Sequence, residues 1–151
     1  MCIRDRARTD AVQSEGLDAA IDRMNRYIES GADIAFADGL DSEDMFRSFT
    51  SRVKAPFMAN MTEFGRTPYY SATELEQMGC KFVIFPASSL RAAAHAIEAL
   101  YATIAAEGAT RTHLDKMMTR AELYEVIDYF NFESLDESIA RSVVPPTETQ
   151  P

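Results

Sequence analysis

Apolar and polar positions alternate between two periods along this chain. Short apolar runs are each followed by a longer stretch with helical spacing. Ala7-Arg8-Thr9-Asp10-Ala11 stands where a buried strand leaves the core, and Ala32-Asp33-Ile34-Ala35-Phe36 reads as a second strand. The run opening at Pro56 reads as a third, and Cys80 to Phe85, stopped by Pro86, as a fourth. Continuous apolar residues of this kind suit parallel strands covered on both faces. The organising stretch is Pro56 to Gly65, which begins apolar and ends in Asn60, Thr62 and Glu63.

The intervening stretches predict helices. Ser14 is a candidate N-cap for a helix ending before Gly31, with Leu17, Ile21, Met24 and Ile28 on one face. Asp41 or Ser42 precedes a helix that turns Met45, Phe46, Phe49 and Val53 inward. Ser71-Ala72-Thr73-Glu74 has the form of a capping box, in which a hydroxyl and a carboxylate satisfy two free amides. Gly79 ends that helix. Ser88 or Ser89 opens a long one with Leu90, Ala94, Ile97, Tyr101 and Ile104 along one side, ending at Gly108. A second capping box, Thr119 to Glu122, opens a helix carrying Leu123, Val126, Ile127 and Phe130, whose apolar face has no strand after it. Leu135 to Arg141 forms one more short helix.

Strand and helix thus alternate four times, with strand ends near Thr9, Phe36, Asn60 and Phe85. Alternation of this kind predicts an α/β fold with a parallel sheet. A closed barrel of eight such units needs about 200 residues or more, so four units make either a small open sheet or half of something larger. The expected organisation is a foreign or disordered leader over residues 1–6 and four β/α units over 7–108. A helical segment follows over 109–142, then a disordered, proline-containing tail over 143–151.

Composition narrows the functional classes. A formal charge of −9, with Lys and Arg scattered rather than striped, argues against nucleic acid as a partner. No apolar run approaches the ~20 residues of a membrane helix, and no leader resembles a signal peptide. Cys2 and Cys80 lack metal-ligand spacing and are expected as free thiols, which fits a cytoplasmic location.

The candidate chemistry lies at the strand ends. Arg8, Asp38, Asn60 with Thr62, and Arg91 fall at or just beyond them. In a parallel sheet these ends share one rim. Singly, an arginine beside a strand is more often a surface salt bridge, and an aspartate before glycine more often turn chemistry. Together they form a polar site. Arg91 and Arg120 each sit at a helix start, a favourable place for anions, and guanidinium grips carboxylates through paired hydrogen bonds. Arg8, Arg91 and Arg120 therefore suit a small substrate with two or three carboxylates. His95 and His113 are weaker candidates, and there is no Ser-His-Asp or Cys-His constellation and no glycine-rich phosphate loop.

Several stretches occur together in order: Ala7-Arg8-Thr9-Asp10-Ala11, Gly31-Ala32-Asp33, Ala59-Asn60-Met61-Thr62-Glu63-Phe64-Gly65, Phe85-Pro86 with Arg91, and Thr119-Arg120-Ala121-Glu122-Leu123-Tyr124. In these, from about Ala7 to Arg141, the chain resembles the second half of the methylisocitrate lyases of the isocitrate lyase and phosphoenolpyruvate mutase superfamily. The resemblance implies the C-terminal half of a TIM-type (β/α)8 barrel followed by C-terminal helices. It also implies Mg2+ at the strand ends, cleavage of 2-methylisocitrate to pyruvate and succinate in propionate breakdown, and a homotetramer. It places substrate contacts at Arg8, Asn60, Met61, Thr62, Arg91 and Arg120. Asp38 stands where the family usually has Glu, one methylene longer. The family's Lys-Lys-Cys-Gly-His loop, its magnesium-binding aspartates and its Ser-Gly-Gly loop have no counterpart here. The chain is therefore expected to be an inactive C-terminal fragment without catalytic or metal-binding residues of its own. The alternatives are a related lyase of the dimethylmalate lyase or oxaloacetate decarboxylase type, and a non-catalytic anion-binding short protein.

Overall fold

A computed structural model describes residues 4–141. Met1 to Ile3 of the expected leader, and the expected tail at 143–151, lie outside the described residues. The chain divides into two compact units, with the boundary between Ala96 and Ile97. This boundary falls inside a continuous helix, not after Gly108.

The first unit contains four strands: β1 (Arg6–Thr9), β2 (Ile34–Ala37), β3 (Met58–Asn60) and β4 (Phe82–Ile84). All are parallel neighbours in chain order. Arg6 pairs with Ile34 and Thr9 with Ala37, while Met58 pairs with Phe82 and Asn60 with Ile84. A single bridge, Ala35 to Phe57, joins the two pairs. β1 begins inside the stretch expected as a leader. Asp5 is also tied in: its amide donates to Asp33 Oδ2 at 3.0 Å, and its carbonyl accepts from Asp33 and Ile34.

Between the strands lie α1 (Val12–Glu15), α2 (Leu17–Glu29), α3 (Glu43–Arg52) and α4 (Ala72–Gln77), and β4 leads into α5 (Ser88–Glu107). The first expected helix is split in two. Gly16, at φ 86°, breaks it, so Ser14 lies within α1 and caps nothing. The Ser71 capping box forms as the sequence indicates, with Glu74 N donating to Ser71 Oγ and Ser71 N donating to the Glu74 carboxylate.

The core follows from strand parity. Ala35, Ala37, Phe57, Ala59 and Met61 pack with Ile21 and Met24 of α2, Phe46 and Phe49 of α3, and Leu75 of α4. Three of these strand residues are alanines, small enough to bring the helix layer close. Phe57 fills the gap they leave: Phe49 lies tilted against it at 5.1 Å between centroids, and Phe46 meets it edge-on at 6.2 Å. Thr50 of α3 donates from Oγ1 to the Met78 carbonyl at 2.6 Å. A Cβ on Gly79, whose φ is 96°, would stand 2.7 Å from that same oxygen, so the turn between α4 and β4 requires glycine.

The other face of the sheet carries Arg8, Phe36, Met58, Asn60, Phe82 and Ile84. Phe36 and Met58 are buried, while Phe82 and Ile84 are exposed.

The second unit holds the rest of α5, a 3-10 helix (Arg111–Lys116), α6 (Arg120–Val126) and α7 (Tyr129–Ala140). The Thr119–Glu122 capping box forms. α6 and α7 bury no residue, and Leu123, Val126, Ile127, Phe130 and Leu135 are all exposed. Tyr124 stacks on Tyr129 at 4.2 Å, with Phe130 edge-on to both. No helix of the described residues is long and apolar enough to cross a membrane.

Two measurements check this packing. In urea denaturation, Phe49→Ala is expected to cost about 3–5 kcal/mol, against about 1 kcal/mol for Ser71→Ala, which removes only a cap. Cys80 is buried, and desolvation pushes its thiol up to about 11. In a Cys2→Ser background it should resist thiol reagents at pH 8 and react fully in denaturant.

Candidate active site

The site is built where the parallel strands end. Arg8 is the second-last residue of β1, in register with Phe36 of β2, and its guanidinium lies 5.1 Å from the centroid of the Phe36 ring. The guanidinium is held between two carboxylates. Its Nε and Nη2 donate to Asp10 at 2.8–3.2 Å, and Nη2 also donates to Asp38 Oδ2 at 2.6 Å. The hydrogen bond from Arg8 holds the Asp10 carboxyl below its usual range. Asp38, despite being one methylene shorter than Glu, reaches Arg8. Its other oxygen accepts from the Gly39 amide at 3.1 Å. Gly39 has φ 79°, and a Cβ there would lie 2.6 Å from Gln13 Nε2, so the turn that carries Asp38 is built for glycine.

Beside this cluster is a cavity of about 330 Å³ lined by Asp10, Gln13, Asp38, Asn60, Thr62 and Arg66, among others. Thr62 Oγ1 donates to Asn60 Oδ1 at 2.9 Å, which leaves the Asn60 amide nitrogen available to a ligand. Arg66 Nη1 donates to Gln13 Oε1 at 2.5 Å across the mouth. The cavity is polar, open to solvent and of a size for a small organic acid.

Arg91, in the first turn of α5, is held by the loop after β3. Its Nη1 donates to the Glu63 carbonyl at 2.7 Å and to Glu63 Oε2 at 2.9 Å, and the exposed Phe64 ring lies under its guanidinium at 5.5 Å. Glu63 also accepts a hydrogen bond from Ser88 Oγ. That bond is the largest cause of the lowered Glu63 pKa, followed by the residue's own amide and by Arg91.

Arg8, Asp38, Asn60 and Thr62 are thus brought together, and Arg91 is bonded to the residue that follows Thr62. Met61 is different. Its side chain is 0% exposed in the core, where its sulfur accepts from the Tyr70 amide at 3.3 Å. It packs in the core with the helix layer. Arg120 begins α6 in the second unit and has no hydrogen-bond or ion-pair partner among the described residues. His95 is exposed, and His113 is buried with Nδ1 3.4 Å from Thr103 Oγ1.

Asp10, Gln13 and Arg66 were not singled out from sequence, and Glu63 was marked only as a polar group at the strand end. For Asp10 a signal was present: residues two apart on a strand share a face, and Arg8 and Asp10 are two apart. For Glu63 the signal was fainter, because its partners Ser88 and Arg91 are three apart on a helix that begins 25 residues later. Among the described residues no group of three or more His, Cys, Asp or Glu gathers that could hold a metal ion. Asp10 and Asp38 are both engaged by Arg8.

Known proteins resemble this chain in sequence and in fold. The family model described as phosphoenolpyruvate phosphomutase matches residues 6–105. The 2-methylisocitrate lyase of Bacillus subtilis is 51% identical over 139 residues, covering 92% of this chain and 46% of that protein. The 2-methylisocitrate lyase of Escherichia coli is 42% identical over 139 residues, covering 91% and 47%. The chain therefore spans a little under half the length of these relatives. Among solved structures, 2,3-dimethylmalate lyase superposes with a TM-score of 0.81 at 31% identity, covering 91% of this chain and 48% of that one. Oxaloacetate acetylhydrolase bound to 3,3-difluorooxalacetate gives 0.80 at 26% identity, covering 92% and 46%. On the family match and these likenesses, the chain belongs to the phosphoenolpyruvate phosphomutase family, within the PEP mutase/isocitrate lyase superfamily.

Proposed function

We propose that these residues form the substrate-gripping side of a carbon–carbon lyase of the 2-methylisocitrate lyase type. In this reading they supply the last four strand–helix units of a (β/α)8 barrel and its C-terminal helices. One observation carries it: a polar cavity at the ends of parallel strands, flanked by arginines whose orientation is already fixed.

Cleavage of 2-methylisocitrate takes the hydroxyl proton and breaks the bond between the hydroxyl-bearing carbon and its neighbour. Pyruvate is released, and the electron pair stays on the succinate part, which then takes a proton. The three substrate carboxylates need cations in fixed places. Arg8 and Arg91 offer guanidinium groups at the strand ends, and Arg120 is a third contact in this reading. Asn60 donates from its amide, and Thr62 holds that amide in orientation. Asp38 keeps Arg8 aimed while Asp10 grips its other edge. The family implies a magnesium ion that polarises the hydroxy-acid end. The described residues do not by themselves fit such an ion.

The exposed apolar residues of α6 and α7 support assembly of several copies, in line with the tetramer implied by the resemblance. An apolar face left in water is unfavourable, and contact with another copy would cover it.

A chimaera tests the activity: residues 7–141 of this chain replace the aligned part of the Bacillus subtilis relative. With magnesium it should cleave 2-methylisocitrate, and Arg8→Ala should lower kcat/KM by about 100-fold or more, the scale of a lost charge-assisted carboxylate contact. A folded chimaera that cleaves 2,3-dimethylmalate or oxaloacetate instead would move the assignment to those relatives. A folded chimaera inactive on all three would leave the anion-binding reading. Asp38→Glu should leave activity on 2-methylisocitrate equal or higher, since it restores the side chain usual in the family.

The Arg8–Asp10 tie has a pH signature. Because the folded carboxyl sits below its ordinary 3.8, the contribution of this pair to stability is fully present above that value and is lost as pH falls through the folded pKa. In a carbon-13 NMR titration the Asp10 midpoint should lie below 3.8 and rise in Arg8→Ala.

A further inference from the structure

The geometry points to Glu63 as a positioning residue that fixes the Arg91 guanidinium for a substrate carboxylate, with Phe64 as the second jaw of the clamp. This inference rests on the proposed reading of Arg91 as a substrate contact. It adds the device that would make that contact specific.

A free arginine at a helix start samples many rotamers, and freezing them on binding weakens a carboxylate contact. Here the sampling is already restricted. The Nη1 atom is occupied twice, by the carbonyl and the carboxylate of one residue, at 2.7 and 2.9 Å. The flat face rests on Phe64 at 5.5 Å. Among the described residues Nε and Nη2 have no partner. They form one edge of the guanidinium, and two parallel hydrogen bonds to a carboxylate need such an edge. Glu63 thus holds one corner and leaves the opposite edge open.

The clamp is itself anchored. Ser88 Oγ donates to Glu63 from the first residue of α5, three positions before Arg91. The Glu63 side chain is 23% exposed, against 43% for Arg91, so the anchor is the more sheltered partner. Phe64 is 96% exposed with φ 62°, an unusual backbone for an aromatic residue. A large apolar ring held in water by a left-handed backbone has no packing reason in this unit beyond its contact with Arg91. Strain of this kind gathers where geometry serves a site. The hydrogen bond from Ser88 and the guanidinium of Arg91 hold the Glu63 carboxyl below its ordinary range.

Holding a carboxylate beside a carboxylate-binding arginine costs some attraction for an anion. Substitutions therefore separate geometry from charge. In the chimaera, Glu63→Ala should raise KM for 2-methylisocitrate by about tenfold, the scale of a misplaced contact, with kcat within about threefold. Glu63→Gln keeps the acceptor and removes the charge, so its KM should stay near that of the parent. A merely structural role would not give this split: Ala and Gln would differ in melting temperature and leave KM alone. In the 151-residue chain, nitrogen-15 NMR of the Arg91 side chain should show a restricted Nε that becomes mobile in Glu63→Ala. If Glu63→Ala does not fold, Ser88→Ala carries the test, with an expected KM rise of about threefold from the loss of one anchoring bond.

Arg91→Ala separates the two levels of the argument. If it raises KM while folded Glu63→Ala does not, or if Arg91 stays equally ordered without Glu63, the positioning role is overturned and the rim stands. If Arg91→Ala leaves KM unchanged, the substrate contact fails and the positioning role falls with it.

Discussion

The side-chain period of two along four parallel strands is the constraint on which the site depends. Ala7, Ala35, Ala37, Phe57, Ala59, Met61 and Val83 turn toward the helices and pack on or in the core. Arg8, Phe36, Met58, Asn60, Phe82 and Ile84 turn the other way. A slip of one residue in either strand pair would exchange core for site, so the packing of Phe57 against Phe46 and Phe49 also fixes where Asn60 points. Stability of the helix layer and the geometry of the rim are in this sense one property.

The rim itself is a balance of charge. Each strand-end arginine of the first unit is met by carboxylate: Arg8 by Asp10 and Asp38, Arg91 by Glu63. These pairs are partly exposed and contribute little to folding. Their effect is on orientation. Long cationic side chains are otherwise among the most mobile on a protein surface, and a site for a compact acid needs them still.

Much of this was legible in the chain. The alternation of apolar runs with helical spacing marked all four strands, and both capping boxes formed where hydroxyl and carboxylate stand three apart. Gly16 was the main failure in the fold: the apolar face of Leu17, Ile21 and Met24 is continuous with what precedes it, and periodicity alone does not register a left-handed break. Within the site, Asn60 ends β3 and bonds Thr62 two residues on, while Met61 between them turns into the core. Parity alone would have assigned Met61 to the core. Glu63 was marked at the strand end without its role, which lies in a contact with α5 that no local pattern encodes. The second unit offered least, since capping and periodicity define its helices but say nothing of what covers them.

The even spacing of the strands has a kinetic consequence. Arg6 meets Ile34, 28 positions on, and Met58 meets Phe82, 24 positions on. Loop-closure entropy grows only slowly with length, so these pairings face nearly equal entropic barriers. Among the described strands, each after β1 finds a neighbour in the unit made immediately before it. A chain emerging from the ribosome can therefore add these strands and their helices one unit at a time, each pairing with the strand just made and shortening the time its edge is open to aggregation.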